Sequence, residues 1–231
     1  MDPAIPFEAI SAQAISIGAS LVGVAHVATL VDAPSHRVHP VDRRVGEAGS
    51  VVVIALAHTD GEPEMDWWDN QKGRTPGNRL LLKINRRLTK WLEKTCSVEA
   101  YELPYHALRG GIFLKDAAVL AGMGVIGKNN LLITPQYGPR VRLKALWLNL
   151  PLQCTGPTHG FAPCDGCDGP CIKACPRDAF NGGSYHRERC RLQMRTDETE
   201  KVVLKSPLIG VPSRFITAYC RRCELACPVG Q

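Results

Sequence analysis

Cys164-Asp165-Gly166-Cys167-Asp168-Gly169-Pro170-Cys171-Ile172-Lys173-Ala174-Cys175-Pro176 is the stretch whose reading decides the last third of this chain. Its cysteines are spaced C-x2-C-x3-C-x3-C-P. A second run, Cys220-x2-Cys223-x3-Cys227-Pro228, follows, and Cys190 lies between the two. Such short spacings let one loop wrap several thiolates around a single cluster, and a proline after the last cysteine discourages continuation as a helix. In two-cluster ferredoxins the fourth cysteine of each run ligates the other cluster. That rule gives Cys164, Cys167, Cys171 and Cys227 to one [4Fe-4S] cluster, and Cys175, Cys190, Cys220 and Cys223 to a second. The extra residue between Cys167 and Cys171 calls for a small bulge at Gly169-Pro170. Two zinc sites are the competing reading, since C-x2-C pairs are common in zinc ribbons. Zinc sites rarely use runs ending twice in Cys-Pro.

Working outward, the chain has ten cysteines in 231 residues. Cys96 and Cys154 stand alone and read as packing residues. The clustering of the others and an N-terminus without a secretory pattern point to metal in a reducing compartment, hence a cytoplasmic protein. No apolar run approaches the ~20 residues of a membrane helix, so no membrane partner is expected. The formal charge of +6 counts cysteines as neutral. Two clusters, each about −2 with its thiolates, would bring it to roughly +2. The basic balance is thus weak evidence for nucleic acid.

Before residue 150 the pattern is mixed. Pro6 to Ser20 has helical spacing, and Leu21–Ala25 and Val51–Leu56 read as buried strands. Val31 to Ser50 and Gly61 to Gly77 read as loops, the second holding Trp67-Trp68. An amphipathic helix is expected from about Asn78 to Lys94, with Leu81, Ile84, Leu88 and Trp91 at helical intervals. A strand near Val98–Leu103, a helix over Phe113–Met123 and strands at Leu131–Thr134 and Val141–Leu148 follow. Intermixed elements ahead of a cysteine-rich tail give an α+β class, with a division near Leu150 to Gly160.

Gly122-x-Gly124-x-x-Gly127 matches the dinucleotide fingerprint letter by letter, but it follows a helix and leads into a strand, the reverse of the required context. The same stretch resembles a P-loop with Asn129 where Ser or Thr should hold magnesium. The plain reading is a glycine-ended helix and tight turn.

The run Leu120-Ala121-Gly122-Met123-Gly124-Val125-Ile126-Gly127-Lys128-Asn129-Asn130-Leu131-Leu132-Ile133 also resembles the A-G-L-G-W-I-G-K-x-x-L-L-I signature of epoxyqueuosine reductases. Tyr137-Gly138, Asn149-Leu150-Pro151-Leu152, the order of the cysteines and Gly18–Ala25 extend the resemblance. That family is similar to reductive dehalogenases. Both pair two [4Fe-4S] clusters with a cobalamin held in a nitroreductase-like α/β sandwich. The resemblance implies such a domain over residues 1–152 and a ferredoxin-like two-cluster module over 153–231. It implies two [4Fe-4S] clusters and cobalamin as cofactors, with flavin as the alternative. The glycine turn, as Gly122, Gly124, Gly127, Lys128, Asn129 and Asn130, would line the cofactor cavity.

Three departures shape the functional expectation. Where the family has a D-[ST]-A-P run with a catalytic aspartate, this chain reads His106-Ala107-Leu108-Arg109-Gly110-Gly111. Val125 replaces the signature tryptophan, and the sequence given ends at Gln231. A shorter relative with a different substrate is expected, acting on a small molecule or a partner's corrinoid, and tRNA binding is doubtful. Tyr105 or His106 would donate a proton and Arg109 would orient an anionic group. Arg187, Arg189, Arg191 and Arg195 around Cys190 would dock an acidic electron donor such as a ferredoxin or flavodoxin. A non-catalytic electron carrier, or a reductive activator of a partner's corrinoid, is the other function class.

Overall fold

The computed structural model describes residues 5–41, 45, 48–58, 61–204 and 214–231. Its centre is a four-stranded sheet of β1 (Leu21–His26), β2 (Ser50–Ala57), β7 (Val141–Leu148) and β4 (Ala100–Glu102), in the order β1-β2-β7-β4. Every neighbouring pair is antiparallel. The register places Val53 opposite Gly23 on one side and Ala145 on the other.

β2 is buried on both faces, which explains its unbroken β-branched run. Val52, Ile54 and Leu56 meet α1 (Phe7–Ser16) and α4 (Pro76–Thr95) through Ile10, Leu81, Ile84, Leu88 and Leu92. Val51, Val53 and Ala55 face α2 (Val27–Val31) and α5 (Leu114–Leu120) through Leu30, Ala117 and Ala118. Two helical layers therefore enclose one sheet, and side chains alternating along β2 feed two separate cores. Truncating the fully buried Ile54 to alanine would cost about 2–5 kcal/mol.

α4 begins two residues earlier than its apolar spacing suggests. Thr75 caps it, accepting from Asn78 N at 3.1 Å, and Pro76 takes the first helical position. The region expected as loop between Val31 and Ser50 instead holds the end of α2 and α3 (Pro34–Val38). Its local cause is tertiary. His36 and Val45 are buried, so these short segments gain from packing what their composition does not promise. Residues 42–44 and 46–47 of that stretch lie outside the described residues.

The region after residue 150 is more regular than its glycine and proline content suggests. It holds α6 (Pro170–Lys173), the thirteen-residue α7 (Arg187–Thr199), β8 (Val202–Leu204), β9 (Arg214–Thr217) and α8 (Arg222–Leu225). β9 pairs with β8 and with β3 (Trp68–Asp69), so the Gly61–Gly77 stretch supplies a strand to the C-terminal region. The connecting segment is bonded to the sheet layer: Thr155 Oγ1 accepts from Val24 N at 2.8 Å and donates to Ala121 O at 2.6 Å. Among the described residues no helix is long and apolar enough to cross a membrane.

Candidate functional site

Cys164, Cys167, Cys171 and Cys227 line one small hollow. Cys164 and Cys167 lie on the loop leading into α6, Cys171 lies in its first turn, and Cys227 lies just beyond α8. Gly169, at φ +67, turns the chain immediately before Pro170 opens α6, which accommodates the extra residue between Cys167 and Cys171. Burial pushes the Cys171 thiol up, and the neighbouring thiols of Cys227 and Cys164 push it further. The backbone N–H of Lys128 donates to Cys164 Sγ at 3.4 Å.

The other four cysteines form a second group. Burial first, then the nearby thiols of Cys220, Cys190 and Cys175, raise the Cys223 thiol to about 12. The N–H of Ala179 donates to Cys175 Sγ at 3.3 Å. Asp197 on α7 fixes the start of the last motif by accepting from Cys220 N at 2.8 Å. Burial, followed by a hydrogen bond with Cys190, raises the Tyr185 hydroxyl. Each group mixes cysteines from both motifs, Cys227 joining the first run and Cys175 the second. Mutual repulsion of this kind disfavours four free thiolates and is relieved by a cationic core. Among the described residues no three His, Cys, Asp or Glu side chains converge closely enough to hold a single ion.

The glycine turn sits between these groups and the sheet layer. β5 (Val125–Ile126) and β6 (Leu132–Ile133) pair across it. A Cβ at Gly124 would fall 2.0 Å from Ile133 O, so the close pairing requires glycine there. Lys128 and Asn129 border the first hollow, and the buried Asn129 donates from Nδ2 to Cys223 O at 3.2 Å. Asn130, at φ +56, is held by Lys115, whose Nζ donates to its carbonyl at 2.6 Å and its Oδ1 at 3.0 Å. Gly122 packs against Thr155 and Gly156. None of the six turn residues borders the large cavity described next, although their neighbours Leu131 and Leu132 do.

That cavity, of about 770 Å³, opens beside the free end of β7. β4 pairs with Leu146–Leu148, and Leu103 N still donates to Ala145 O at 3.0 Å. The chain then swings away, leaving Val141, Arg142 and Leu143 in the wall. Residues 104–111 form the excursion. A Cβ at Gly111 would lie 2.1 Å from Pro104 O, so a glycine is needed to close it. Tyr105, His106 and Arg109 all border the cavity from this loop, and all are exposed or half-exposed. The Tyr105 and His106 rings meet edge to face, with centroids 5.4 Å apart. Opposite lie Ile112, Phe113, Lys115 and Asp116 at the start of α5, and Arg187 at the start of α7. His36 donates from Nδ1 to His39 O at 3.0 Å and accepts from Phe113 N at 3.1 Å through Nε2, which makes it a neutral structural group. Burial lowers its pKa further.

A buried polar cluster behind the wall is not evident from local sequence. Asp66, from the turn at Pro63–Asp66, pairs with Arg142 and with Arg221, and lies 2.6 Å from His58 Nδ1. Arg221 also pairs with Glu224. Burial, despite Glu224, and the two arginines together lower the pKa of His58 to about 4. Burial lowers that of Arg142 to about 10. The cluster ties the cavity wall to the Cys220–Cys223 loop. Arg140 does the same two residues earlier, donating to Cys227 O at 3.2 Å and Val229 O at 2.6 Å. The signal that sequence offers for these ties is Arg140, Arg142 and Lys144 alternating at the entry of β7, where a buried cation needs a partner. Trp67 and Trp68 do not border the cavity. Trp68 packs against Tyr219, ring centroids 6.3 Å apart.

No family model matches the chain. It is 34% identical over 123 residues to an epoxyqueuosine reductase of Listeria monocytogenes, covering 50% of this chain and 29% of that protein. It is 32% identical over 120 residues to the tetrachloroethene reductive dehalogenase of Sulfurospirillum multivorans, covering 48% and 22%. An epoxyqueuosine reductase solved with an epoxyqueuosine-modified tRNA stem loop superposes with TM-score 0.66 at 19% identity, over 97% of this chain and 65% of that one. A reductive dehalogenase structure described in terms of B12-dependent dehalogenation gives TM-score 0.65 at 16% identity, over 97% and 32%. The chain is thus similar in sequence to epoxyqueuosine reductases and to a reductive dehalogenase, and shares their mixed α+β fold. It spans less than two thirds of the length of the curated relatives it matches.

Proposed function

We propose that this chain is an iron–sulfur reductase that passes electrons from two [4Fe-4S] clusters to a cofactor, cobalamin, in the 770 Å³ cavity, and from there to an organic substrate. The observation that carries the reading is the sorting of eight cysteines into two groups of four, each drawn from both motifs. Four thiolates per site, N–H donors on Cys164 and Cys175, and a surrounding hollow suit a cubane. Two runs that each end in Cys-Pro, rather than isolated C-x2-C pairs, favour the cubane over zinc.

Residues 153–231 are the electron-input module, and residues 1–152 the cofactor and substrate layer. Cobalamin would supply the reductive chemistry at its metal. The chain's own part is positional. The apolar wall of Ile112, Phe113 and Leu143 excludes water, and Tyr105 or His106 supplies a proton from the loop closed by Gly111. Arg189, Arg191 and Arg195 stand exposed on α7 around Cys190 and suit an acidic electron donor.

Anaerobic reconstitution tests the reading. A brown protein with acid-labile sulfide, about eight irons per chain and a changed cobalamin spectrum on mixing is expected. A colourless protein with stoichiometric zinc would end it. Clusters without cobalamin or flavin binding would favour the electron carrier or activator.

A further inference from the structure

The charge of the large cavity is unbalanced. Its walls present Arg109, Lys115, Arg142 and Arg187 against the carboxylate of Asp116. Arg142 is answered from behind the wall by Asp66. Lys115 has the neighbouring charge of Asp116 and the two oxygens of Asn130. Among the described residues, Arg109 and Arg187 enter no ion pair, and both are exposed to the cavity side or its rim. They come from separate parts of the chain, one from the excursion between β4 and α5, the other from the first position of α7. In addition, Arg142 Nε is buried and has no hydrogen-bond partner among the described residues. A buried donor left so costs about 1–3 kcal/mol. Between these cations the lining is apolar, formed by Ile112, Phe113, Leu132, Val141 and Leu143.

We propose that the cavity takes an organic anion: an apolar body bearing a carboxylate or phosphate, whose charged end is held by Arg109 and Arg187. The proposal rests on reading this cavity as the reaction chamber, and it gives the reductase its substrate class. Two cations on a concave, largely apolar wall attract and orient an anion more strongly than they would in open water. A neutral analogue of the same shape would leave them without that gain. A phosphodiester carried by a corrinoid has the same chemistry, so the two sources must be separated.

The test uses the full chain with its clusters reconstituted. Benzoate and benzamide, which share a ring and differ in charge, are titrated calorimetrically, with phenyl phosphate as a second anion. Benzoate or phenyl phosphate is expected to bind at least about tenfold tighter than benzamide, a difference of about 1.4 kcal/mol. Arg109→Gln and Arg187→Gln should each reduce that ratio, and R109K and R187K should keep part of it. Added salt should shrink it. Equal binding of the three probes, no binding of any, or a ratio unchanged in R109Q/R187Q would overturn the proposal. So would complete displacement of benzoate by cobalamin but not by cobinamide, which lacks the phosphodiester, because the anion site would then be the corrinoid's. Absorbance near 400 nm, read on the same samples, reports the clusters separately. Its absence would strike the iron–sulfur reading while the binding ratio still decided the anion.

Discussion

Replacing Arg140 with methionine should unseat the end of the chain. The side chain is 6% exposed and reaches from the entry of β7 to two carbonyl oxygens, those of Cys227 and Val229. A hydrogen bond from a charged donor contributes about 1.5–3 kcal/mol. Methionine keeps the aliphatic packing, and Val229 is only half-buried, so its carbonyl regains some water. The low end for both bonds is therefore appropriate, about 3 kcal/mol in all. For a chain of this size that corresponds to roughly 6–12 °C in Tm. The loss is also directional. Cys227 belongs to the first group of four, so R140M should lose iron there before the Cys223 group does. Differential scanning calorimetry and iron analysis during gentle chelation check this. Arg140→Lys should fall between, since one ammonium cannot reproduce the fork. A variant melting within about 2 °C of the parent, with iron retention unchanged, would refute the idea that this arginine holds Cys227 in place.

Crossed grouping predicts that Cys227→Ser and Cys164→Ser share one phenotype, and Cys190→Ser and Cys220→Ser another, by electron paramagnetic resonance of the reduced protein; pairing by motif instead would contradict it. His58, lowered to about 4 in the fold against 6.5 unfolded, favours the folded state fully above about pH 6.5 and loses that contribution as pH falls toward 4. The difference is about 3 kcal/mol, and urea midpoints across pH 4–7 should show an acid limb that flattens in H58N. Gly111→Ala places a Cβ against Pro104 O and should displace Tyr105, His106 and Arg109 together, weakening binding of cavity ligands about tenfold or more while leaving the visible spectrum unchanged. If α7 receives an acidic donor, the second-order rate of reduction should fall steeply with ionic strength, whereas dithionite reduction should respond differently to the same variants at Arg189 and Arg191.

The core was legible because each element's own pattern agreed with its place. Val51–Leu56 is apolar throughout, as a strand covered on both faces must be, and the 3.6-residue spacing of α4 survives as a buried stripe. Short spacing accounts for Cys164, Cys167 and Cys171 meeting in one hollow, whereas Cys227 reaches it only through the tertiary fold. What escaped were features made by long-range contact. β3, β8 and β9 are short, and only their mutual pairing makes them strands. The cluster of His58, Asp66, Arg142, Arg221 and Glu224 draws on four separate segments, which no local pattern joins. The two carbonyl partners of Arg140 lie almost ninety positions away, at residues 227 and 229, beyond the reach of any local pattern.

The glycine turn is legible as a turn from its own residues, but its neighbours are set by the tertiary fold. Tight closure needs Gly124, because the facing carbonyl of Ile133 leaves no room for a side chain. The residues that follow are then fixed in direction, and three consecutive ones point to three places. Lys128 offers its N–H to Cys164 of the first group. Asn129 offers its amide to the carbonyl of Cys223 in the second. Asn130 accepts from Lys115, a wall residue of the large cavity. Rigidity at this turn therefore sets both cysteine groups relative to the cavity, although none of Gly122, Gly124, Gly127, Lys128, Asn129 and Asn130 lines it. Asn129→Ala would remove two hydrogen bonds, the one given to Cys223 O and the one accepted from Leu131 N, together about 2 kcal/mol. The loss should also be directional, with iron leaving the Cys223 group before the first group, as iron analysis during gentle chelation would show.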